Sequence, residues 1–223
     1  MKKLYFVFLI FFMAPLFGQE TIPIFNRIPP NEKGIEEINK LLSDPGIRIE
    51  DKQAAVDRLA VIVQQIYAQN PNFPPEKMYN PLIGALTPNP NEPHHHVLRI
   101  NICRALGVFA IYEKGTENVI PVLGRRLKDV NEHEDVRIEA ARSLGRFWKN
   151  TSMASIELVD ALNIELQRGP QADNIRLVSA VIQSLGALGD KRSFVPLMKV
   201  IQSSFPTGIK KDAQASLESI KWD

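Results

Sequence analysis

The sequence has a single cysteine among its 223 residues. One cysteine cannot form an internal disulfide, and it cannot supply the paired thiolates of a zinc finger or a CxxC redox motif. Aromatic residues are also few, at 8% of the chain, whereas 44% of all residues are hydrophobic. This composition indicates a globular protein long enough to bury an aliphatic core, and it excludes a disordered or fibrous chain.

The sequence has little net charge, with a formal value of +2. Without Lys2 and Lys3, which belong to an N-terminal segment treated below, 25 basic residues balance 25 acidic ones. These charges are spread evenly and form no basic patch. We therefore expect neither a nucleic acid nor an anionic membrane as the partner.

Catalytic signatures are missing as well. The sequence contains no GxSxG, HExxH or Walker motif, and no GxGxxG in the strand and helix context that dinucleotide binding requires. We therefore expect a protein that is not an enzyme and has no cofactor.

The N-terminus has the pattern of a secretory signal peptide. Lys2 and Lys3 precede an apolar run of 14 residues, 4–17. Signal peptides have an apolar run of roughly 7–15 residues, and a membrane span needs roughly 20. Residues 1–18 are therefore interpreted as a cleaved signal peptide, which predicts an exported, periplasmic protein with no stable membrane span after cleavage. The alternative is an uncleaved anchor, because Leu16 makes a weaker cleavage site than an A-x-A pattern.

One segment of the chain occurs several times. Residues 98–109 read LRINICRALGVF, and residues 136–147, 38 positions later, read VRIEAARSLGRF. A third copy, VIQSLGAL, lies at 181–188, and weaker copies lie at 55–59 and 213–217. The apolar residues of each copy are spaced as in an amphipathic helix.

A second set of helical patterns lies between these copies, at residues 35–42, 79–86, 119–127, 156–166 and 194–201. Three of them have a proline near the predicted start, namely Pro81, Pro121 and Pro196. Proline is tolerated in the first turn, because its missing N–H would have no partner within the helix. The repeating unit is therefore a pair of helices of about 40 residues, present about five times.

This pattern resembles the HEAT-repeat family, in particular the short repeats of phycobilisome lyases, which read D-x-x-V-R-x-x-A-x-x-A-L-G before a helix with P-L. The matching segments are 135–137 (DVR) with 144–145 (LG), and 185–190 (LGALGD) with 195–197 (VPL). The resemblance implies an all-α fold over residues 34–223, a right-handed α-solenoid of about five HEAT-like helix pairs. The Leu-Gly helices would line its concave surface. Their glycines, Gly107, Gly145 and Gly186, are predicted to be points of close packing.

Two stretches fall outside the helical pattern. Residues 71–93 hold seven of the sixteen prolines, which predicts long connections around a short helix, and such loops often bind ligands. Residues 19–33 are predicted to be an extended N-terminal arm. The arm is either a flexible linker or docks on the first repeat through Ile22, Ile24, Phe25 and Ile28.

Three features resemble chemical sites, and for each we favour a structural role. The rings of His94 to His96 would point about 100° apart on a helix and cannot easily converge on one metal ion. Cys103 takes the repeat position of Ala141, which predicts a buried, inert thiol. Asp135 is predicted to be the N-cap of the helix that begins at Val136.

Basic residues occupy fixed positions of the repeat. Arg99 and Arg137 share one position, and Arg104 and Arg142 share another. One interpretation is a structural ladder between repeats. The other is that Arg104, Arg142 and Arg146 contact an acidic or polar segment of a partner in the concave groove. The candidate partner-binding residues are Arg99, Arg104, Arg137, Arg142, Arg146 and Gln183.

Together these features predict an exported scaffold or adaptor that binds another protein through its concave face. An alternative is an accessory or chaperone subunit of an enzyme, as the resemblance to lyases implies. Those relatives act on bilin-bearing proteins in the cytoplasm, so the signal peptide argues against the same substrate. A metal-binding envelope protein that uses His94 to His96 is the least favoured alternative.

Overall fold

A computed structural model describes residues 24–86 and 95–222 of the chain. Within these ranges the secondary structure is entirely helical and contains no β-strand, which confirms the prediction of an all-α fold. The described helices are α1 (Glu32–Ser43), α2 (Ile49–Gln69), α3 (Glu76–Leu86), α4 (His96–Val108), α5 (Val119–Lys128), α6 (Glu134–Leu144), α7 (Thr151–Arg168), α8 (Ile175–Leu188), α9 (Phe194–Gln202) and α10 (Thr207–Glu218).

The interpretation of residues 1–18 as a signal peptide lies outside the described residues and stays a prediction. Among the helices of the described ranges, none combines the length and the apolar character that crossing a membrane requires.

The helices pack as successive pairs. Each odd-numbered helix contacts the even-numbered helix that follows it, from α1 with α2 to α9 with α10. Each even-numbered helix also packs on the next even-numbered one, and the odd-numbered helices contact one another in the same order. The even-numbered helices contain the repeated segments, and the odd-numbered helices contain the second set of patterns. The fold therefore has two layers of helices with an aliphatic core between them.

Glycines and serines face each other where the even-numbered helices pack. A Cβ atom added at Gly107 would lie 2.9 Å from the Ser143 Cβ, and one at Gly145 would lie 2.9 Å from the Ser184 Cβ. Gly186 approaches Ser216 in the same way, at 3.0 Å from its Cβ. These distances confirm that the three glycines are points of close packing, because any side chain there would push the neighbouring helix away.

Two of these serines also bond across the helix interface. The Ser143 hydroxyl donates a hydrogen bond to the Cys103 carbonyl at 2.8 Å, and the Ser216 hydroxyl donates to the Ile182 carbonyl at 3.0 Å. In both cases the acceptor lies four residues before the glycine. A small residue therefore brings the helices close enough for a buried hydroxyl to find a partner.

The position of Pro81 differs from the prediction. Pro121 and Pro196 are each the third residue of their helices, as expected, whereas Pro81 is the sixth residue of α3. The helix begins earlier because the carbonyl of Pro75 already accepts from the backbone N–H groups of Met78 and Tyr79. Pro75, which stands directly before the helix, takes the place predicted for Pro81.

The described part of the N-terminal arm docks on the first helix pair. Residues Ile24–Arg27 form a 3₁₀ turn, and the side chains of Phe25 and Ile28 pack against the core. The Arg58 side chain of α2 donates from Nε to the Ile28 carbonyl at 3.1 Å. Helix α1 then begins at Glu32, within the predicted arm. Residues 19–23 of the arm lie outside the described ranges.

Candidate interaction face

Two of the predicted site residues are occupied by contacts inside the protein. Arg99 of α4 donates to the Glu132 carboxylate at 2.8 Å, and its side chain is mostly buried. Arg137 of α6 is only 4% exposed, and it donates to the Leu127 carbonyl at 2.9 Å and to the Glu165 carboxylate at 2.5 Å. Both arginines connect one helix pair to the next, as the ladder interpretation describes.

Glu165 is the centre of a buried polar network. Its carboxylate is fully buried and accepts from Arg137 of α6, from Arg168 at 2.7 Å, and from the Asn174 side chain at 2.9 Å. A buried carboxylate is stable only when such donors replace the water that it has lost. The network therefore connects α6, α7 and the start of α8.

Arg104 and Arg146 lie nearer the surface and share one acidic partner. The Glu139 carboxylate is buried, 3.4 Å from the Arg104 Nε and 3.9 Å from the Arg146 Nη2. Each of the two arginine side chains is about half exposed, at 51% and 47%. A single carboxylate thus faces two cations, which leaves an excess of positive charge on this part of the surface.

Arg142 and Gln183 line the same groove, which has a volume of about 350 Å³ and runs across α6, α8 and α10. Its buried apolar lining comes from Ile138, Ala180 and Ile209. Arg142 is exposed and makes no ion pair with any residue of the described ranges. The groove therefore combines an apolar floor with an uncompensated guanidinium group.

Hydrogen bonds hold the polar side of this groove in place. Gln183 donates to the Ser179 hydroxyl at 3.2 Å, which in turn donates to the Asp212 carboxylate at 2.8 Å. Arg176 pairs with the carboxylates of Glu134 and Asp135 at 3.0 and 2.8 Å. The sequence analysis missed Ser179, Asp212 and Arg176, because these residues have no counterparts of the same type at the matching repeat positions.

The only cysteine is buried, as predicted. Burial raises the pKa of the Cys103 thiol to about 12, and the nearby carboxylates of Glu132 and Glu139 add to that increase. We expect the folded chain to remain unreactive toward a thiol reagent such as DTNB near pH ~8, and the unfolded chain to react fully.

The same thiol makes the stability depend on pH. The unfolded thiol ionises near pH ~8.5 and the folded one only near 12, so we expect the free energy of unfolding to fall as the pH rises above ~8.5. Urea unfolding at several pH values measures this, with Cys103→Ser as the control that removes the ionisation. Stoichiometric labelling of the folded chain would contradict a buried thiol.

The histidines differ from prediction in one respect. Asp135 is not the N-cap of α6, because the helix begins one residue before it, at Glu134, and the His133 Nδ1 accepts from the Asp135 backbone N–H at 3.2 Å. The His133 ring stacks on that of His96 at 4.1 Å between centroids. His94 lies outside the described residues, and the described part of the chain contains no group of three or more side chains that could hold a metal ion.

Comparisons with protein-family models and with curated proteins found no match for this chain.

Proposed function

We propose that the chain is an exported, non-catalytic adaptor that binds a segment of another protein along the face formed by α6, α8 and α10. We further propose that the helix pairs continue as a right-handed HEAT-like solenoid with this face on its concave side. The contacts of each even-numbered helix with the next one support the solenoid, since stacked pairs make one continuous surface.

The observation that carries the proposal is the pairing of an apolar groove with a free cation. Ile138 and Ile209 offer apolar area, and Arg142 is exposed beside them without a carboxylate partner among the described residues. A partner segment with an aliphatic side chain and a neighbouring carboxylate would bury the first and neutralise the second. An arginine can hold such a carboxylate with two parallel hydrogen bonds.

Site-specific photo-crosslinking in the native cell tests which face the partner uses. A photoreactive residue placed at Gln183 is expected to give a discrete adduct with one protein, identifiable by mass spectrometry. Gln202, which is exposed on α9 of the other layer, is the matched control and should give none. Adducts formed only from position 202 would contradict the proposed face.

Charge reversal on this face should weaken partner binding. We expect the double variant Arg142→Glu, Arg146→Glu to raise the Kd for the crosslinked partner at least tenfold, because both exposed guanidinium groups become repulsive carboxylates. The matched control is Arg125→Glu, Lys199→Glu, which makes the same change of charge at exposed positions of α5 and α9. Thermal unfolding should be similar in both variants. Equal losses of affinity would instead indicate a nonspecific effect of net charge.

A further inference from the structure

A second pocket lies away from this face, among the connections between helix pairs. It has a volume of about 520 Å³ and is formed by the connection from α2 to α3, by the residues around Tyr112 after α4, and by Lys149. This volume is in the range of small-molecule sites, roughly 300–1,000 Å³. Neither the groove residues nor the proposed adaptor function accounts for it.

The walls of this pocket are held by close contacts between connections. Gly115 has a φ of +77°, and a Cβ added there would lie 2.9 Å from the Pro75 Cγ. Lys149, from the segment before α7, donates to the Ile111 carbonyl at 2.8 Å. Three separate connections are therefore fixed against each other, so the pocket is formed before any ligand binds.

Aromatic rings provide the apolar part of the pocket. Tyr67 and Tyr112 meet edge to face at 4.8 Å between ring centroids, and Phe73 lies on the same lining. Tyr67 and Phe73 are partly exposed, so each ring is open to a ligand on part of its surface. Tyr112 is 2% exposed, and its hydroxyl is buried with no hydrogen-bond partner among the described residues.

The polar groups of the pocket balance in charge and differ in hydrogen-bonding character. Glu76 and Glu113 supply carboxylate acceptors, whereas Lys114 and Lys149 supply ammonium donors. None of the four is in an ion pair with another described residue. The lining therefore has no net charge, which favours neither a strongly anionic nor a strongly cationic ligand.

We propose that this pocket binds a neutral saccharide. A sugar ring has an apolar C–H face that stacks on aromatic rings such as Tyr67 and Phe73, and its hydroxyl groups both donate and accept. The hydroxyls would donate to Glu76 and Glu113 and accept from the lysine ammonium groups. Each polar group of the lining thereby gains a partner in place of water.

A proline-rich peptide satisfies the same site less well. Its rings would also stack on the aromatic residues, and its carbonyl groups would accept from Lys114 and Lys149. However, such a peptide has few N–H donors, because proline has none. Glu76 and Glu113 would then lose water without gaining hydrogen bonds, which is costly for a charged group.

NMR titration of the isotope-labelled full chain tests the proposal, with four neutral trisaccharides as probes: maltotriose, cellotriose, xylotriose and chitotriose. We expect at least one of them to shift the backbone amides of Asn72, Gly115 and Lys149 in a saturable way at concentrations up to ~10 mM. Tyr67→Ala should raise the Kd at least tenfold by removing the stacking surface. Glu113→Ala, at an exposed position where folding is not at risk, should weaken binding at least threefold.

Arg142→Glu is the control, since it lies in the groove and should leave saccharide binding unchanged. The proposal is overturned if no trisaccharide shifts these amides, or if both pocket variants bind as tightly as the original chain. It is also overturned if a decaproline peptide saturates the pocket and the saccharides do not. Because the Arg142→Glu and Gln183 experiments probe other residues, the adaptor function stands or falls separately.

Discussion

The free energy of unfolding is expected to fall by about 3–5 kcal/mol when Glu165 is replaced with alanine. The carboxylate is fully buried and accepts from Arg137, Arg168 and Asn174. Its removal leaves the buried Arg137 guanidinium without its charge partner, so the cost is that of an uncompensated buried cation. Urea unfolding followed by far-UV circular dichroism measures the change.

Asp160 on the same helix provides the matched control. Its side chain is 53% exposed and lies 3.7 Å from the Lys128 Nζ, so Asp160→Ala should change the stability by less than about 0.5 kcal/mol. Glu165→Gln keeps the shape of the side chain and should fall between the two variants. A loss for Glu165→Ala no greater than that for Asp160→Ala would mean that the buried network does not stabilise the fold.

Gly107→Ala is expected to destabilise the chain by about 1–3 kcal/mol, although alanine favours a helix more than glycine does. The added Cβ would lie 2.9 Å from the Ser143 Cβ and 3.2 Å from its Cα. A Cα atom cannot move without its helix, so α4 and α6 must separate. That separation would also stretch the hydrogen bond from the Ser143 hydroxyl to the Cys103 carbonyl.

A double-mutant cycle separates this clash from other effects of the substitution. Ser143→Gly removes the atoms that the new Cβ meets, so the pair Gly107→Ala, Ser143→Gly should be more stable than the sum of the single changes predicts. We expect a favourable coupling of about 1–2 kcal/mol in thermal or urea unfolding. Additive effects would show that the two residues are not in close contact. Gly208→Ala, at an exposed position with open space around it, is the control for helix propensity.

The helices could be predicted from the sequence because their determinants are local and repeated. The Leu-Gly segments and the patterns between them have helical spacing over two or more turns, and Pro121 and Pro196 mark two helix starts. The glycines were identified as packing points for a related reason. A residue that weakens a helix, yet recurs at one position, must serve the contact between helices.

The rest depends on contacts between distant parts of the chain. Nothing near Glu165 in the sequence indicates that Arg137, 28 positions earlier, completes its network. The first helical residue of α3 was misplaced because Pro75 and Pro81 are both compatible with a helix start, and only packing chooses between them. The pocket beside Tyr112 escaped prediction because three separate connections form it.

The glycine and serine contacts imply that the number of helix pairs is not fixed by the interfaces themselves. Gly107 and Gly145 occupy the same repeat position, and so do their partners Ser143 and Ser184. If α5 and α6 were deleted together, Gly107 would meet Ser184 in a junction of the same kind. The array is therefore modular, since whole pairs could be removed or duplicated without a new interface having to be invented.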